Sequence, residues 1–142
     1  KDTKKYSLEK ALDKKYVDYS LTTVGSINDK ITKKDVKLRM SNSIDDEKLL
    51  KVDVAKETAL MYNLKSEEYQ YGAIVFATQY NKLKKRGSYI IVVVNLEKNT
   101  AVYAKKFEGN SGGFGFRNYW AGSFDNGLKS LGKLYKKDLK NL

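Results

Sequence analysis

The chain has 142 residues, of which 28 are basic and 17 acidic, so its formal net charge is +11. Apolar residues make up 41% of it and proline is absent, a composition that indicates one folded domain and excludes a disordered chain. Histidine and cysteine are also absent, which excludes disulfides, the usual zinc sites and catalytic centres built on either residue. A binding protein without metal or cofactor is therefore favoured over an enzyme.

The N-terminal segment predicts a short helix followed by a strand. Apolar residues recur at helical spacing from Leu8 to Tyr16, and Ser7 can cap that helix. Residues 17–23 alternate apolar and polar side chains, as in a half-buried strand, and Gly25 ends the pattern.

The next two segments predict a β-hairpin. Apolar and polar residues alternate over 36–40 and again over 50–54, and turn-forming residues lie between them. Apolar residues from Leu50 to Met61 also fit one face of a helix. A helix that begins near Asp45 therefore competes with the second strand.

Residues 66–87 predict a long helix, with Ser66 as its cap and Gly87 as its stop. Large apolar side chains recur along one side of it, at Tyr69, Ala73, Phe76, Tyr80 and Leu83. The β-branched residues at its centre leave a strand over 73–78 as the alternative.

Residues 89–94 are apolar and mostly β-branched, which predicts a central strand covered on both faces. A turn at 97–100 then leads into a strand over 101–107. The whole order predicts a single α+β domain over 1–142, with an antiparallel sheet of about five strands packed by the long central helix and a C-terminal helix. The longest apolar run, 89–94, is too short to cross a bilayer, which needs roughly 20 residues.

The segment 109–124 is rich in glycine and aromatic residues and predicts a loop that displays flat rings for stacking on a ligand. The residues expected to contact a partner there are Phe116, Arg117, Tyr119 and Trp120. The alternative, which we favour, is that most of these rings fold back and close one end of the core.

The segment 125–141 predicts a basic amphipathic helix, with a leucine face and an opposite face that carries Lys129, Lys133, Lys136 and Lys137. Such a helix can lie on an anionic bilayer. We favour ordinary packing of the leucine face on the core, because two glycines weaken this helix on its own.

A second basic cluster, Lys82, Lys84, Lys85 and Arg86, stands at the end of the predicted long helix. Lys105 and Lys106 would extend it into one patch if the following hairpin folds beside that helix. Cations at a helix C-terminus are also expected from the helix dipole, which is the alternative explanation of the cluster.

All but three of the 28 basic residues are lysine, the exceptions being Arg39, Arg86 and Arg117. Lysine acts as a hydrated point charge, which suits diffuse attraction to an anionic polymer, an anionic membrane surface or a protein partner better than reading of base edges. We therefore predict a non-catalytic binding domain. A surface that only confers solubility and a nucleic-acid-binding protein are the alternatives.

A metal-dependent nuclease is a weaker alternative. Asp53 and Lys56 stand at the end of a predicted strand, but two residues separate them where such a site needs one. Since the chain begins at Lys1 rather than methionine, is rich in lysine and tyrosine and lacks cysteine, we expect an extracytoplasmic protein, secreted or held at the cell envelope.

Overall fold

The computed structural model describes residues 8–12, 25, 49–113 and 116–140. Over these residues the chain is an α+β fold with one three-stranded antiparallel sheet in the order β1-β2-β3. The elements, in chain order, are α1 (Leu8–Leu12), α2 (Val52–Met61), β1 (Tyr71–Asn81), β2 (Arg86–Asn95), β3 (Thr100–Asn110) and α3 (Phe116–Lys140).

Strand β2 lies in the middle of the sheet and pairs antiparallel with both neighbours. Its residues 87–92 are all buried, because the strand is covered on both faces. The predicted central strand over 89–94 is confirmed, as is the hairpin that joins it to the next strand.

The two faces of the sheet are covered by different helices. On one face, α1 and α3 bury a cluster that consists of Ala11, Tyr89, Ile91, Phe107, Leu128 and Leu131. On the other face, α2 buries Ala55, Ala59, Ile90, Val92 and Val94. Odd-numbered residues of β2 thus face α3 and even-numbered residues face α2 along most of the strand, as the alternation of a strand requires.

Small residues let α3 approach the sheet closely. A Cβ atom on Gly109 would overlap the backbone of Ser123 and Gly127. The hydroxyl of Ser123 donates to the carbonyl oxygen of Gly109 at 3.0 Å and lies 2.9 Å from the hydroxyl of Tyr89. Because the single proton of Ser123 is already used, Tyr89 is the donor of the second bond. These glycines serve helix-to-sheet packing.

The long helix predicted over 66–87 is wrong, and the alternative strand over 73–78 is confirmed as part of β1. Ser66 does act as a cap, since its hydroxyl accepts from the backbone N–H groups of Glu68 and Tyr69, but it closes a turn instead of starting a helix. Gly87, predicted to stop the helix, is buried inside β2. Pairing with β2 along the whole strand overrides the local helical pattern.

The strand predicted over 50–54 is also wrong, and the competing helix is confirmed, although it begins at Val52 and not near Asp45. The predicted strands over 17–23 and 36–40 lie outside the described residues. The sheet of about five strands is therefore not seen; the described residues form three.

The predicted loop over 109–124 is largely wrong. Its first two residues end β3, and α3 begins at Phe116, so the predicted helix over 125–141 is the later part of a longer helix that ends at Lys140. Gly127 and Gly132 are the two glycines that the sequence predicts to weaken this helix. In the fold, backbone or ring atoms of neighbouring segments occupy the space that their side chains would need.

Candidate functional site

The turn between β1 and β2 carries four of the predicted basic residues and is here named the basic turn, residues 82–86. The side-chain oxygen of Asn81 accepts the backbone N–H of Lys84 at 2.8 Å, and the N–H of Lys85 donates to the carbonyl of Lys82 at 3.3 Å. Lys85 takes the left-handed conformation, with φ of 48°. This backbone closes the hairpin in four residues.

Contacts with the end of β3 hold the basic turn in place. The carbonyl oxygen of Lys85 accepts the backbone N–H of Ser111 at 2.7 Å. The Nε of Arg86 donates to the side-chain oxygen of Asn110 at 3.3 Å. The turn is therefore tied to the sheet on both of its last two residues.

Every side chain of the basic turn is exposed. Leu83 is 86% exposed and stands between Lys82 on one side and Lys84, Lys85 and Arg86 on the other. The turn thus presents one apolar side chain among four cations.

On the sheet face that carries α2, the side chains change from apolar to polar near the basic turn. Toward the other end of the sheet this face is apolar and covered by α2, whereas near the turn it carries Gln79, Asn81, Ser88 and Glu108. A cavity of about 440 Å³ lies between these polar residues and the start of α2. Its charged lining consists of Lys51, Lys84, Arg86, Lys106 and Glu108.

Glu108 is the one carboxylate in this lining, and it is held by three neighbours. Arg86 donates to it at 3.0 Å, the hydroxyl of Ser88 donates at 3.0 Å, and the Nζ of Lys106 lies 3.8 Å away. These ion pairs are partly exposed, so each contributes little stability. Four cations against one carboxylate leave the cavity strongly positive.

The N-terminus of α2 forms part of the cavity wall and adds to the positive potential. Val52 lines the cavity, and Lys51, the cap residue, makes no side-chain hydrogen bond to the first turn. The positive end of the helix dipole therefore lies beside the four cations.

The two neighbouring lysines of β3 have different surroundings, because adjacent residues of a strand point to opposite faces. Lys106 lines the cavity with Lys84 and Arg86, as the predicted continuous patch requires. Lys105 points to the α3 side and forms an ion pair with Asp138 at 3.1 Å.

Asp138 also accepts from the hydroxyl of Tyr103 at 3.0 Å. Hydrogen bonds from Lys105 and Tyr103 lower the pKa of Asp138, and burial is the main cause that raises the pKa of Tyr103.

The predicted aromatic contacts lie on the first turns of α3 and not on a loop. The ring of Trp120 lies 4.7 Å from that of Tyr80 and 5.0 Å from that of Tyr119. Trp120 and Tyr119 are half-buried, while Tyr80, next to the basic turn in β1, is 51% exposed. Phe116 and Arg117 begin α3, and their side chains lie outside the described part of the structure.

The ring of Phe124 packs on the core, as the favoured alternative predicted for most rings of the segment 109–124. Tyr89 contacts the rings of Phe107 and Phe124, each at 5.3 Å between centroids. Burial raises the pKa of Tyr89 to about 12.

The predicted lysines of the C-terminal helix lie on the exposed side of α3, away from the cavity. Leu128 and Leu131 are buried against the sheet, which confirms ordinary amphipathic packing of this helix. Lys129 forms an ion pair with Asp125 at 2.8 Å. Lys133, Lys136 and Lys137 are also exposed on α3. The apolar face of this helix is occupied by the core.

The pair considered for a nuclease lies within α2, one turn apart. Asp53 and Lys56 form an exposed ion pair at 3.3 Å, so the strand that the nuclease alternative needed is not there. In the described ranges no group of three or more acidic, histidine or cysteine residues could hold a metal ion.

Sequence reasoning missed Lys51, Ser88 and Glu108. Once β2 and β3 are paired, alternation places Ser88 and Glu108 on one face opposite each other, so a correct strand register would have found them. Lys51 reaches the cavity only because α2 packs on the sheet, and no local pattern indicates it.

No protein-family model, no curated protein and no solved structure matches this chain. Within the residues that the structure describes, no helix combines the length and the apolarity needed to cross a bilayer.

Proposed function

We propose that this domain is a non-catalytic binding module that engages an anionic partner through the four cations of the basic turn and the cavity beside it. The observation that carries the proposal is the convergence of Lys51, Lys84, Arg86 and Lys106, from three separate parts of the fold, on one cavity with a single carboxylate. Like charges brought together repel each other, and an anion relieves that repulsion.

The arrangement suits contact with an extended anionic surface more than capture of one small anion. The cavity opens beside an exposed turn whose cations continue the positive region outside it. Three of the four converging side chains are lysines, which attract anions with little geometric selectivity. Binding of this kind weakens as salt screens the charges.

Inorganic polyphosphate in solution provides the first test, because it offers charge without bases or lipids. The double variant Lys84→Gln/Lys106→Gln should weaken binding about tenfold or more, and the slope of log affinity against log salt should fall by about one for each phosphate that is no longer neutralised. Glu108→Gln should strengthen binding, since it removes the one carboxylate of the cavity.

The matched control is Lys133→Gln/Lys137→Gln, which removes the same charge from the exposed side of α3. It should change the affinity less than about twofold. Equal decreases in both double variants would mean that net charge alone drives binding, and the basic surface would then serve solubility.

Nucleic acid is the second candidate, and the half-exposed rings of Tyr80, Tyr119 and Trp120 near the basic turn favour it, because bases stack on such rings. Single-stranded DNA should then bind more tightly than polyphosphate of equal charge. Tyr80→Ala should remove that difference. Equal affinity for both polymers excludes base stacking and leaves the electrostatic proposal alone.

A further inference from the structure

Among the described residues, two hairpin turns have four-residue loops of closely similar backbone: residues 82–85 of the basic turn and residues 96–99 of the β2–β3 turn. In the basic turn Asn81 accepts the N–H of the residue three positions later at 2.8 Å, and in the β2–β3 turn Asn95 does the same at 2.9 Å. The last loop residue is left-handed in both, with φ of 48° at Lys85 and 47° at Asn99.

The side chains of the two turns differ at equivalent positions. The exposed Leu83 corresponds to Glu97, and the exposed Lys82 corresponds to Leu96, which is buried beside Gly72. The β2–β3 turn therefore hides its leucine and shows a charge, as stability and solubility favour. The basic turn does the reverse with the same backbone.

The left-handed residue shows the same contrast. Asparagine tolerates this conformation better than other residues with a side chain, whereas lysine has no special tolerance of it. Lys85 therefore adds a charge at a position where Asn99 shows that a more suitable residue fits. Neither the exposed leucine nor the left-handed lysine is required by the turn itself.

We propose that the basic turn is a membrane-docking tip that inserts Leu83 into the interface of an anionic lipid bilayer, while the surrounding cations contact the headgroups. This inference rests on the proposed function and names its partner. A leucine gains free energy only in an apolar medium, and anionic headgroups attract lysine and arginine close to the surface. Lysine stems can lie along the apolar layer while their ammonium groups reach the headgroups.

The aromatic residues beside the turn fit the same partner. Tyr80 and Trp120 are in contact and partly exposed near the start of the basic turn. Rings with one polar edge are enriched at the level of lipid headgroups, where one side is apolar and the other wet. They would flank the tip at the membrane surface.

The tip is also presented in a fixed conformation. The bonds from Ser111 to Lys85 and from Arg86 to Asn110 hold it against β3, and Asn81 closes it from within. A surface that is ordered before it binds loses less conformational entropy on docking. A soluble polyanion offers no apolar layer for Leu83, which is why a bilayer is favoured over nucleic acid.

Co-sedimentation with phosphatidylcholine vesicles that contain phosphatidylglycerol tests the role of Leu83. Leu83→Ser should lower the partition coefficient about tenfold, because serine gains nothing from the apolar layer of the bilayer. Met61→Ser is the matched control, since Met61 is 83% exposed and lies at the end of α2, and it should bind as the native chain does. Vesicles of phosphatidylcholine alone should not pellet the protein.

The cations of the tip are tested with Lys82→Gln/Lys85→Gln, which leaves the lining of the cavity unchanged. Two charges removed near an anionic surface should weaken vesicle binding about thirtyfold. Lys133→Gln/Lys137→Gln should have little effect. An equal or larger decrease in this second variant would place the contact on α3 and overturn the proposal.

Insertion itself can be measured because Trp120 is the only tryptophan of the chain. In a Trp120→Phe background, Leu83→Trp should shift its emission to the blue on anionic vesicles and be quenched by brominated acyl chains. Met61→Trp in the same background should do neither. If Trp120→Phe does not fold, the Leu83→Ser comparison alone decides.

The outcomes separate this inference from the proposed function. Native vesicle binding by Leu83→Ser, or binding to polyphosphate without any binding to anionic vesicles, overturns the membrane tip and leaves the anion-binding module standing. Binding to neither probe overturns both. Leu83→Ser should leave polyphosphate binding unchanged, because Leu83 does not line the cavity.

Discussion

The two ends of the sheet are built from the same turn, yet one is closed and the other open. At the closed end, around the β2–β3 turn, the backbone N–H of Leu96 donates to Gln70 and the side chain of Asn99 donates to the carbonyl of Leu60 at the end of α2. At the open end, residues of the basic turn are hydrogen-bonded to Glu108, Asn110 and Ser111, at and just after the end of β3. The closed end joins parts of the core, whereas the open end exposes a leucine and four cations.

Two turns of similar backbone can therefore carry side chains of opposite chemistry. Both turns satisfy their backbone through a buried asparagine, so their other positions are free to vary. The closed end uses that freedom for stability. The open end accepts strain and like-charge repulsion, which is common where a surface is used for binding.

The largest effect on stability is expected at a glycine of the open end. Gly109→Ala would place a methyl group on the backbone of Ser123 and Gly127, and should lower the free energy of unfolding by about 3 kcal/mol or more. Gly72→Ala at the closed end meets the flexible side chain of Leu96 at 2.9 Å and should cost about 1 kcal/mol. Urea unfolding compares the two, and equal costs would contradict the tight approach of α3.

Exchange of the turn sequences tests the contrast directly. With residues 82–85 replaced by the four residues of the β2–β3 turn, the fold should persist because the backbone is the same. Binding to anionic vesicles should fall at least about a hundredfold, since the net charge of the turn falls by three and a glutamate replaces the leucine at its tip. Circular dichroism measures whether the chain folds, and co-sedimentation measures vesicle binding. A folded chain that still binds vesicles would show that the sequence of the basic turn is not needed for membrane docking.

Removal of either asparagine should cost both turns a similar amount. Asn81→Ala and Asn95→Ala each leave a backbone N–H without its partner in a partly buried place, at a cost of about 1–2 kcal/mol. Thermal unfolding measures this. A much smaller cost at Asn81 would show that the basic turn is held mainly by its bonds to residues 110 and 111.

Replacement of the left-handed residues should change stability in opposite directions. Lys85→Asn should stabilise the chain by about 0.5–1 kcal/mol while it weakens vesicle binding about fivefold. Asn99→Lys should destabilise the chain by more, about 1–2 kcal/mol, because it also removes the hydrogen bond from Asn99 to the carbonyl of Leu60; it should leave vesicle binding as it was. Stabilisation without any decrease in binding would show that Lys85 does not contact the lipid surface.

The smallest effect on stability is expected from the ion pair and hydrogen bonds of Asp138, which lie away from both turns. The pKa of Asp138 is lowered in the folded chain by hydrogen bonds from Lys105 and Tyr103, so its contribution is present above the ordinary aspartate pKa and is lost as pH falls through the lowered value. Asp138→Asn should therefore be slightly less stable than the native chain at neutral pH and equal to it in strong acid. A difference that persists in acid would assign the effect to packing.

The elements predicted correctly are those whose neighbours agree with their local pattern. Residues 89–94 are apolar on both faces of the strand and form the central strand of the sheet. The C-terminal helix has leucines on one face and lysines on the other, and its leucine face packs on the core. The prediction of a helix over 66–87 was wrong because its apolar residues fit both the helical and the strand period. Pairing with β2 selects the strand. The extracytoplasmic location stays a prediction.

Residue types alone establish which groups this protein has for binding: many lysines, no histidine or cysteine, and a cluster of cations near Leu83. The positions of those cations in space depend on the fold. Strands β1 and β2 form a hairpin where the sequence predicts a helix end, and the packing of α2 on the sheet brings Lys51 to the same cavity as Lys106. Charge and residue type are properties of each position. The convergence of the four cations on one cavity depends on contacts between residues far apart in the chain. These contacts follow from packing and strand pairing rather than from local pattern.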